Sequence, residues 1–266
     1  MIPTALARKA RRVRRGVPVL MYHLVSDEPV PASFSRWRVT PQVFRRQVET
    51  LRRLRFSTVT AGDLDRALRG ERPLPPRPVH ITFDDGYVDC LRHAAPILQG
   101  AGMTATMYVV AGLVGGRSRW MADEGVDLPL LDRAGLRELE QAGVECQSHS
   151  LTHPRLATRP DAEVADELVR SREVLEDVTG HPVTSLAYPH GSYDDRVRAI
   201  AGESGYTTAY TTQPGKALGS DDLLALPRVK VDGRDRHATF VARVVTGQHV
   251  GARVRGLVRT PEGVAR

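Results

Sequence analysis

Two adjacent aspartates and two histidines four residues apart are the side chains in this sequence best suited to chemistry. Asp84 and Asp85 lie in Thr82-Phe-Asp-Asp-Gly-Tyr87, and His149 and His153 in Ser148-His-Ser-Leu-Thr-His153. Neighbouring carboxylates repel each other, and a divalent cation relieves that cost. If one aspartate binds the ion, the other stays free to act as general base on water. Histidines four apart face the same way on a helical backbone, so both imidazoles can reach one ion. Two nitrogens and one oxygen suit Zn2+, and would also accept Co2+, Ni2+ or Fe2+. Each motif alone has a plainer explanation. An Asp-Asp pair can cap a helix, and a chain with nine histidines can hold two of them in caps or in a core. Gly86 permits a sharp turn directly after the pair.

The elements that must position these residues can be read from hydrophobic spacing. The clearest strand is 79–83, which ends at Asp84-Asp85-Gly86. Further strands are expected at 17–22, 105–110, 144–147, 185–188, 207–211 and 226–231. Helices are expected at 41–55, where Thr40 is the cap and Pro41 the first helical residue, and at 60–69, 88–101, 132–143, 161–179, 194–204 and 235–258. Residues 26–39 and 111–131 read as loops, and 70–78, with four prolines, as a linker. Short apolar strands alternating with helices imply βα units around a parallel sheet. In such folds chemistry gathers at the carboxyl ends of the strands. Four expected strands end in suitable residues: His23, Asp84-Asp85, His149 and Pro189-His190.

Composition narrows the alternatives. The 266 residues are 41% hydrophobic and 26% charged, an ordinary globular balance. At 5% aromatic residues, a stacking platform for single-stranded nucleic acid is not expected. The net charge of +7 is concentrated in Arg8, Lys9, Arg11, Arg12, Arg14 and Arg15, and again in Arg243, Arg253, Arg255, Arg259 and Arg266. These are either solvated ends or a peripheral hold on an anionic membrane surface or acidic glycan. No nucleic-acid motif accompanies the charge. The expected organisation is a basic arm over 1–16, a catalytic domain over 17–234 and a basic helix or tail over 235–266. Cys90 and Cys146 form no framework and are expected to be free and buried. With no apolar span and no signal-peptide pattern, a cytoplasmic protein is expected, in contact at most with the inner membrane face. A monomer is compatible with all of this.

Taken together, the two motifs resemble the first two motifs of the polysaccharide deacetylase family, the fourth carbohydrate esterase family. Tyr188-Pro-His-Gly191 resembles the third. The resemblance runs from about residue 18 to residue 231. It implies a single α/β domain built as a distorted (β/α)7-type barrel, and hydrolysis of N-acetyl, sometimes O-acetyl, groups on sugars. By the resemblance Asp84 would be the general base, with Asp85, His149 and His153 the metal ligands. A backbone N–H from Tyr188 or its loop neighbours would help hold the oxyanion.

The departures are informative. The arginine that usually opens the third motif is missing, because Leu186-Ala187 precede Tyr188. Arg228, in Leu226-Pro-Arg-Val229, is the candidate replacement. The late Leu-x-His motif that supplies the general acid is absent near His237 and His249. Val19-Leu-Met-Tyr-His23 has that form at the other end of the chain, which resembles the rearranged exopolysaccharide-deacetylase subgroup and makes His23 the expected acid. His190 stands where the family more often has an aromatic residue. Tyr188, Pro189, His190 and Gly191 are expected along the substrate groove, and Trp120, in the long loop, is a candidate for stacking on a sugar. His80, His93 and His181 are expected to be structural or loop residues. Two other functions compete with sugar deacetylation: a carbohydrate-binding protein of the same fold without catalysis, and a hydrolase of a non-sugar amide.

Overall fold

Threonine and aspartate caps start the helices where their side chains can take a backbone N–H three residues on. Thr40 starts α1 (Pro41–Arg53) and Thr60 starts α2 (Ala61–Leu68). α3 (Ala95–Gly100) has no such cap. Asp132 starts α4 (Arg133–Gln141), Pro160 precedes α5 (Asp161–Thr179), Asp194 starts α6 (Asp195–Glu203), and α7 (His237–Thr246) is last. Each cap satisfies a donor that the helix leaves unpaired. The computed structural model describes residues 16–248. The clusters Arg8 to Arg15 and Arg253 to Arg266 lie outside the described residues.

The strands are β1 (Val19–Tyr22), β2 (Leu24–Val25), β3 (Arg38–Val39), β4 (Ser57–Val59) and β5 (Pro78–Phe83), then β6 (Ala105–Val109), β7 (Val144–Ser148), β8 (Ser185–Ala187), β9 (Thr208–Pro214) and β10 (Leu226–Lys230). β5 to β10 pair in sequence order, and β1 closes the ring between β10 and β5. All pairings between these strands are parallel, so seven strands form a closed barrel within a single domain, as the family resemblance implies. β4 takes the first half of one edge of β5, Ser57↔Pro78 to Val59↔His80, and β6 the second half from Thr82↔Thr106.

The period-two alternation of the strands sorts their side chains. Val79, Ile81 and Phe83 pack with Phe44, Val48 and Leu51 of α1, and the same cluster holds Leu136, Leu139, Leu168 and Leu175 of α4 and α5. Each such side chain, fully buried, contributes roughly 1.5–3 kcal/mol. His80, Thr82, Thr106, Tyr108 and Tyr210 alternate with these and are also fully buried. They meet as polar pairs, among them His80 Nε2 with Thr106 Oγ1 at 2.9 Å and Tyr108 Oη with Ser185 Oγ at 2.9 Å. The parity that runs from His80 through Thr82 reaches Asp84 next, and this brings its carboxyl to the mouth of the barrel.

Three local expectations need correction. The helix expected over 88–101 is present over 88–100, but its register is π over Cys90–Ala94 before the short α3. Pro96 has no N–H to continue the ladder, so the register changes there. The loop expected over 26–39 contains β3, which pairs with β2 as Leu24↔Arg38 and Val25↔Val39. Two residues are too few to show a period. The last helix stops at Thr246, where Gly247 takes a left-handed conformation (φ 75°), and residues 249–258 of the 235–258 expectation lie outside the described residues. No helix among the described residues is long and apolar enough to cross a membrane.

Candidate active site

Asp84 and Asp85 leave the end of β5 through a tight reversal. Asp85 and Gly86 both have positive φ, 83° and 87°. A non-glycine residue is held in that region only when its surroundings over-determine it. The Asp84 N–H is fixed by the Tyr22 carbonyl at 3.0 Å. The two carboxylates then diverge to different partners.

Asp84 faces Arg228. Nη1 and Nη2 of the guanidinium reach its two oxygens at 2.7 and 2.8 Å, and Nε is donated to the Thr211 carbonyl. Arg228 is 1% exposed, one of the largest fully buried side chains. Burial pushes Asp84 upward, but the charges of Arg228, His149 and His23 outweigh it and hold the carboxyl below its ordinary range. On the other side stands His23, with Nε2 4.0 Å from Asp84 Oδ2. Burial lowers the His23 pKa, and Asp85 and Asp84 pull it partly back.

Asp85 faces the two histidines. Its Oδ1 lies 3.5 Å from His149 Nε2 and 3.4 Å from His153 Nε2. Ligands about 2.0–2.2 Å from a tetrahedral zinc stand roughly 3.3–3.5 Å apart, so the spacing fits a shared ion. The proton inventory agrees. His149 Nδ1 donates to the Ala187 carbonyl at 2.7 Å, so in a neutral ring Nε2 would be an acceptor facing a carboxylate oxygen; burial lowers the His149 pKa, but the hydrogen bond to Asp85 and the charges of Asp84 and Asp85 outweigh it and raise it. Two acceptors facing each other are resolved by a cation. All three side chains are buried.

The helical backbone on which a four-residue spacing would align His149 and His153 is not the one present. Ser150 and His153 have φ of 63° and 66°, and the segment is a loop clasped from α5. Glu167 accepts from the N–H groups of Leu151 and Thr152 at 2.9 and 2.8 Å and from the Thr152 hydroxyl. A carboxylate sixteen residues downstream of Leu151 thus ties the loop to α5. Both rings still converge on one point, by a different backbone route.

The third motif also departs from expectation. The Tyr188 N–H is donated to the Tyr210 carbonyl at 3.0 Å and its hydroxyl to Leu224 O at 2.9 Å. Tyr188 therefore has no free N–H for an oxyanion, because β8 and β9 continue their ladder through it. Tyr188 and His190 line the cleft, whereas Pro189 and Gly191 do not, among the described residues. These two shape the turn instead. His190 and Gly191 have φ of 57° and 66°, and a Cβ on Gly191 would fall 2.2 Å from Thr212 Oγ1. Gly191→Ala is accordingly expected to cost about 2 kcal/mol or more from positive-φ strain and the clash, read as a fall in the denaturation midpoint.

The cleft above these groups has a volume of about 490 Å³. Trp120 lines it with its ring stacked on His153, centroids 4.5 Å apart. Trp37, Arg36 and Lys230 also line it, and sequence reasoning passed over all three. The Trp37 ring lies 4.4 Å from His23. One available signal was that both tryptophans of an aromatic-poor chain fall in expected loops. His80 and His181 sit where structural roles place them, against Thr106 and Glu140, and Cys90 and Cys146 are free and buried.

A family model described as polysaccharide deacetylase matches residues 71–209, more than half of the chain. The chain belongs to the polysaccharide deacetylase family. As such it is a metal-dependent carbohydrate esterase family four hydrolase, acting on acetylated sugars. It is 27% identical over 215 residues to YxkH of Bacillus subtilis (strain 168), which carries a polysaccharide deacetylase name, with 81% of this chain and 71% of that one covered. The structure of the Streptococcus pyogenes deacetylase PplD in complex with acetate superposes with a TM-score of 0.72 at 26% identity, covering 82% of this chain and 93% of that one. IcaB from Ammonifex degensii has the same fold, with a TM-score of 0.72 at 22% identity over 88% of this chain and 97% of that one. A deacetylase of this family needs a metal site, and Asp85, His149 and His153 form a buried group that could hold an ion.

Proposed function

We propose that this polysaccharide deacetylase hydrolyses the N-acetyl group of an acetamido sugar, with Asp85, His149 and His153 holding a Zn2+ ion. The observation that supports it is the division of labour at the barrel mouth. One aspartate meets two histidine nitrogens at ligand spacing, while its neighbour is forked by Arg228 and flanked by His23. When bound, a divalent ion there polarises the acetyl carbonyl and lowers the pKa of water.

The protein's own groups account for the proton movements. Asp84, kept ionised by Arg228, takes a proton from the attacking water as the new C–O bond forms. Arg228 also fixes the carboxylate plane, since a fork onto both oxygens leaves it one orientation. His23 delivers a proton to the sugar nitrogen as the C–N bond breaks, releasing acetate and a free amine. Trp37 packs against the His23 ring and limits its rotation. A non-catalytic binding protein would need none of this, because binding does not require an ionised base beside a proton donor.

Metal content and acetate release from N-acetylglucosamine oligosaccharides test the proposal together. About one divalent ion per chain with acetate release would support it. No metal after reconstitution would sink it, and metal without turnover on any acetylated sugar would shift the reading toward a non-sugar amide. His23→Ala is expected to lower kcat by about 10²–10⁴-fold, the usual range for a general acid, with metal content unchanged. A smaller effect would place the leaving-group proton elsewhere.

A further inference from the structure

The cleft carries a second charge pattern that the hydrolysis does not use. Among the described residues, Asp84 and Asp85 are the only carboxylates lining it. Both face inward, toward Arg228 and the histidines. Arg36 and Lys230 line it as well, and neither forms an ion pair with a carboxylate among the described residues.

The two cations share one aromatic support. Lys230, half-buried at the end of β10, holds Nζ 3.7 Å from the centroid of the Trp37 ring, and the Arg36 guanidinium lies 5.3 Å from the same ring. Burial and then the Arg36 charge both disfavour a charged lysine here, and Arg243 and Arg234 add to this. Asp232 acts the other way, but it is forked by Arg234 at 2.9 and 2.7 Å, while Arg243 pairs with Asp235 at 3.0 Å. Among the described residues, positive charge around Lys230 therefore exceeds negative. Trp37 lies 4.4 Å from the His23 ring, so the pair stands one aromatic ring away from the proposed proton donor. An arriving oxyanion there would gain charge-assisted hydrogen bonds and remove the repulsion between the cations.

We propose that Lys230 and Arg36, supported by Trp37, form a subsite for a phosphate or carboxylate group on the sugar that carries the acetyl group. The enzyme then selects acidic over neutral substrates. The subsite rests on the deacetylase reading for the sugar itself, but its charge selectivity is measurable as binding, without turnover.

Isothermal titration calorimetry on the metal-loaded full chain tests it, with N-acetylglucosamine, its 1-phosphate, its 6-phosphate and N-acetylmuramic acid as probes. At least one acidic probe is expected to bind about tenfold more tightly than N-acetylglucosamine, as a single well-placed charge contact gives. The preference should weaken as salt is added. In Lys230→Gln the ratio of affinities is expected to fall to about one, and in Lys230→Arg to persist. Equal affinities for acidic and neutral probes in the wild type would overturn the subsite. So would a preference that survives Lys230→Gln, because the anion would then be bound elsewhere, for instance at the cation site. Acetate release is read separately. If it is absent while the preference follows Lys230, the hydrolytic reading fails and the subsite stands.

Discussion

Asp84→Asn is expected to abolish acetate release while the chain keeps about one divalent ion. The side chain keeps its shape and can still accept a hydrogen bond from Arg228, but a neutral amide cannot take a proton from water. Loss of a general base costs about 10²–10⁴-fold in rate, and disturbance of the charge field around the reacting carbonyl adds to it. At 1.36 kcal/mol for each factor of ten, that range is about 3–5 kcal/mol of activation free energy. The ligands Asp85, His149 and His153 are not altered, so metal content by elemental analysis separates this outcome from collapse of the site. A variant that retains more than about a tenth of wild-type kcat would remove Asp84 from the base role. Asp85→Ala should show the converse pattern, with loss of the ion first and of activity with it.

Arg228→Met is expected to have the largest effect on stability of any substitution at the site. It leaves the Asp84 carboxylate, which is 2% exposed, buried opposite an apolar side chain. Breaking a buried pair from one side costs about 3–5 kcal/mol. In a domain of this size each kcal/mol moves the melting temperature by roughly 2–4 °C, so a fall of about 10 °C is expected by calorimetry. The double variant Asp84→Asn/Arg228→Met removes the stranded charge, and part of the stability should return without activity. Arg228→Lys should recover little activity, because a single ammonium cannot fork onto both oxygens or reach Thr211 O as well. If Arg228→Met melts within about 2 °C of wild type, the fork is not what supports the base.

Much of the fold and part of the site are legible in the residues because their signals are local. A capping threonine or aspartate acts within three residues, as Thr40 and Asp132 show. A strand's apolar alternation is complete within five or six residues, which is why 79–83 and 144–147 are readable. The Asp84-Asp85-Gly86 turn is likewise contained in its own motif, and the glycine supplies a conformation that few other residues adopt. Where the signal is short or overridden, the reading fails. β3 is two residues long. The π register over Cys90–Ala94, ahead of Pro96, leaves no mark in the apolar spacing of that helix. Glu167 holds the His149–His153 loop from α5, and nothing within that motif signals so distant a partner.

The sequence by itself determined which residue types are available for chemistry, that they follow strand ends, and that those strands alternate with helices. Only the tertiary structure decided which of them meet. His23, Asp84 and Arg228 are far apart along the chain, and they come together because the first strand closes the barrel between the last strand and β5. The same closure sets Lys230 against Trp37 and Trp37 against His23. It also decided that the Tyr188 N–H belongs to the β9 ladder rather than to an oxyanion. Backbone preferences and caps act over a few residues and are written where they act. Ion pairs, ring contacts and a closed sheet depend on distances in space, and those are defined only once the whole ring of strands has formed.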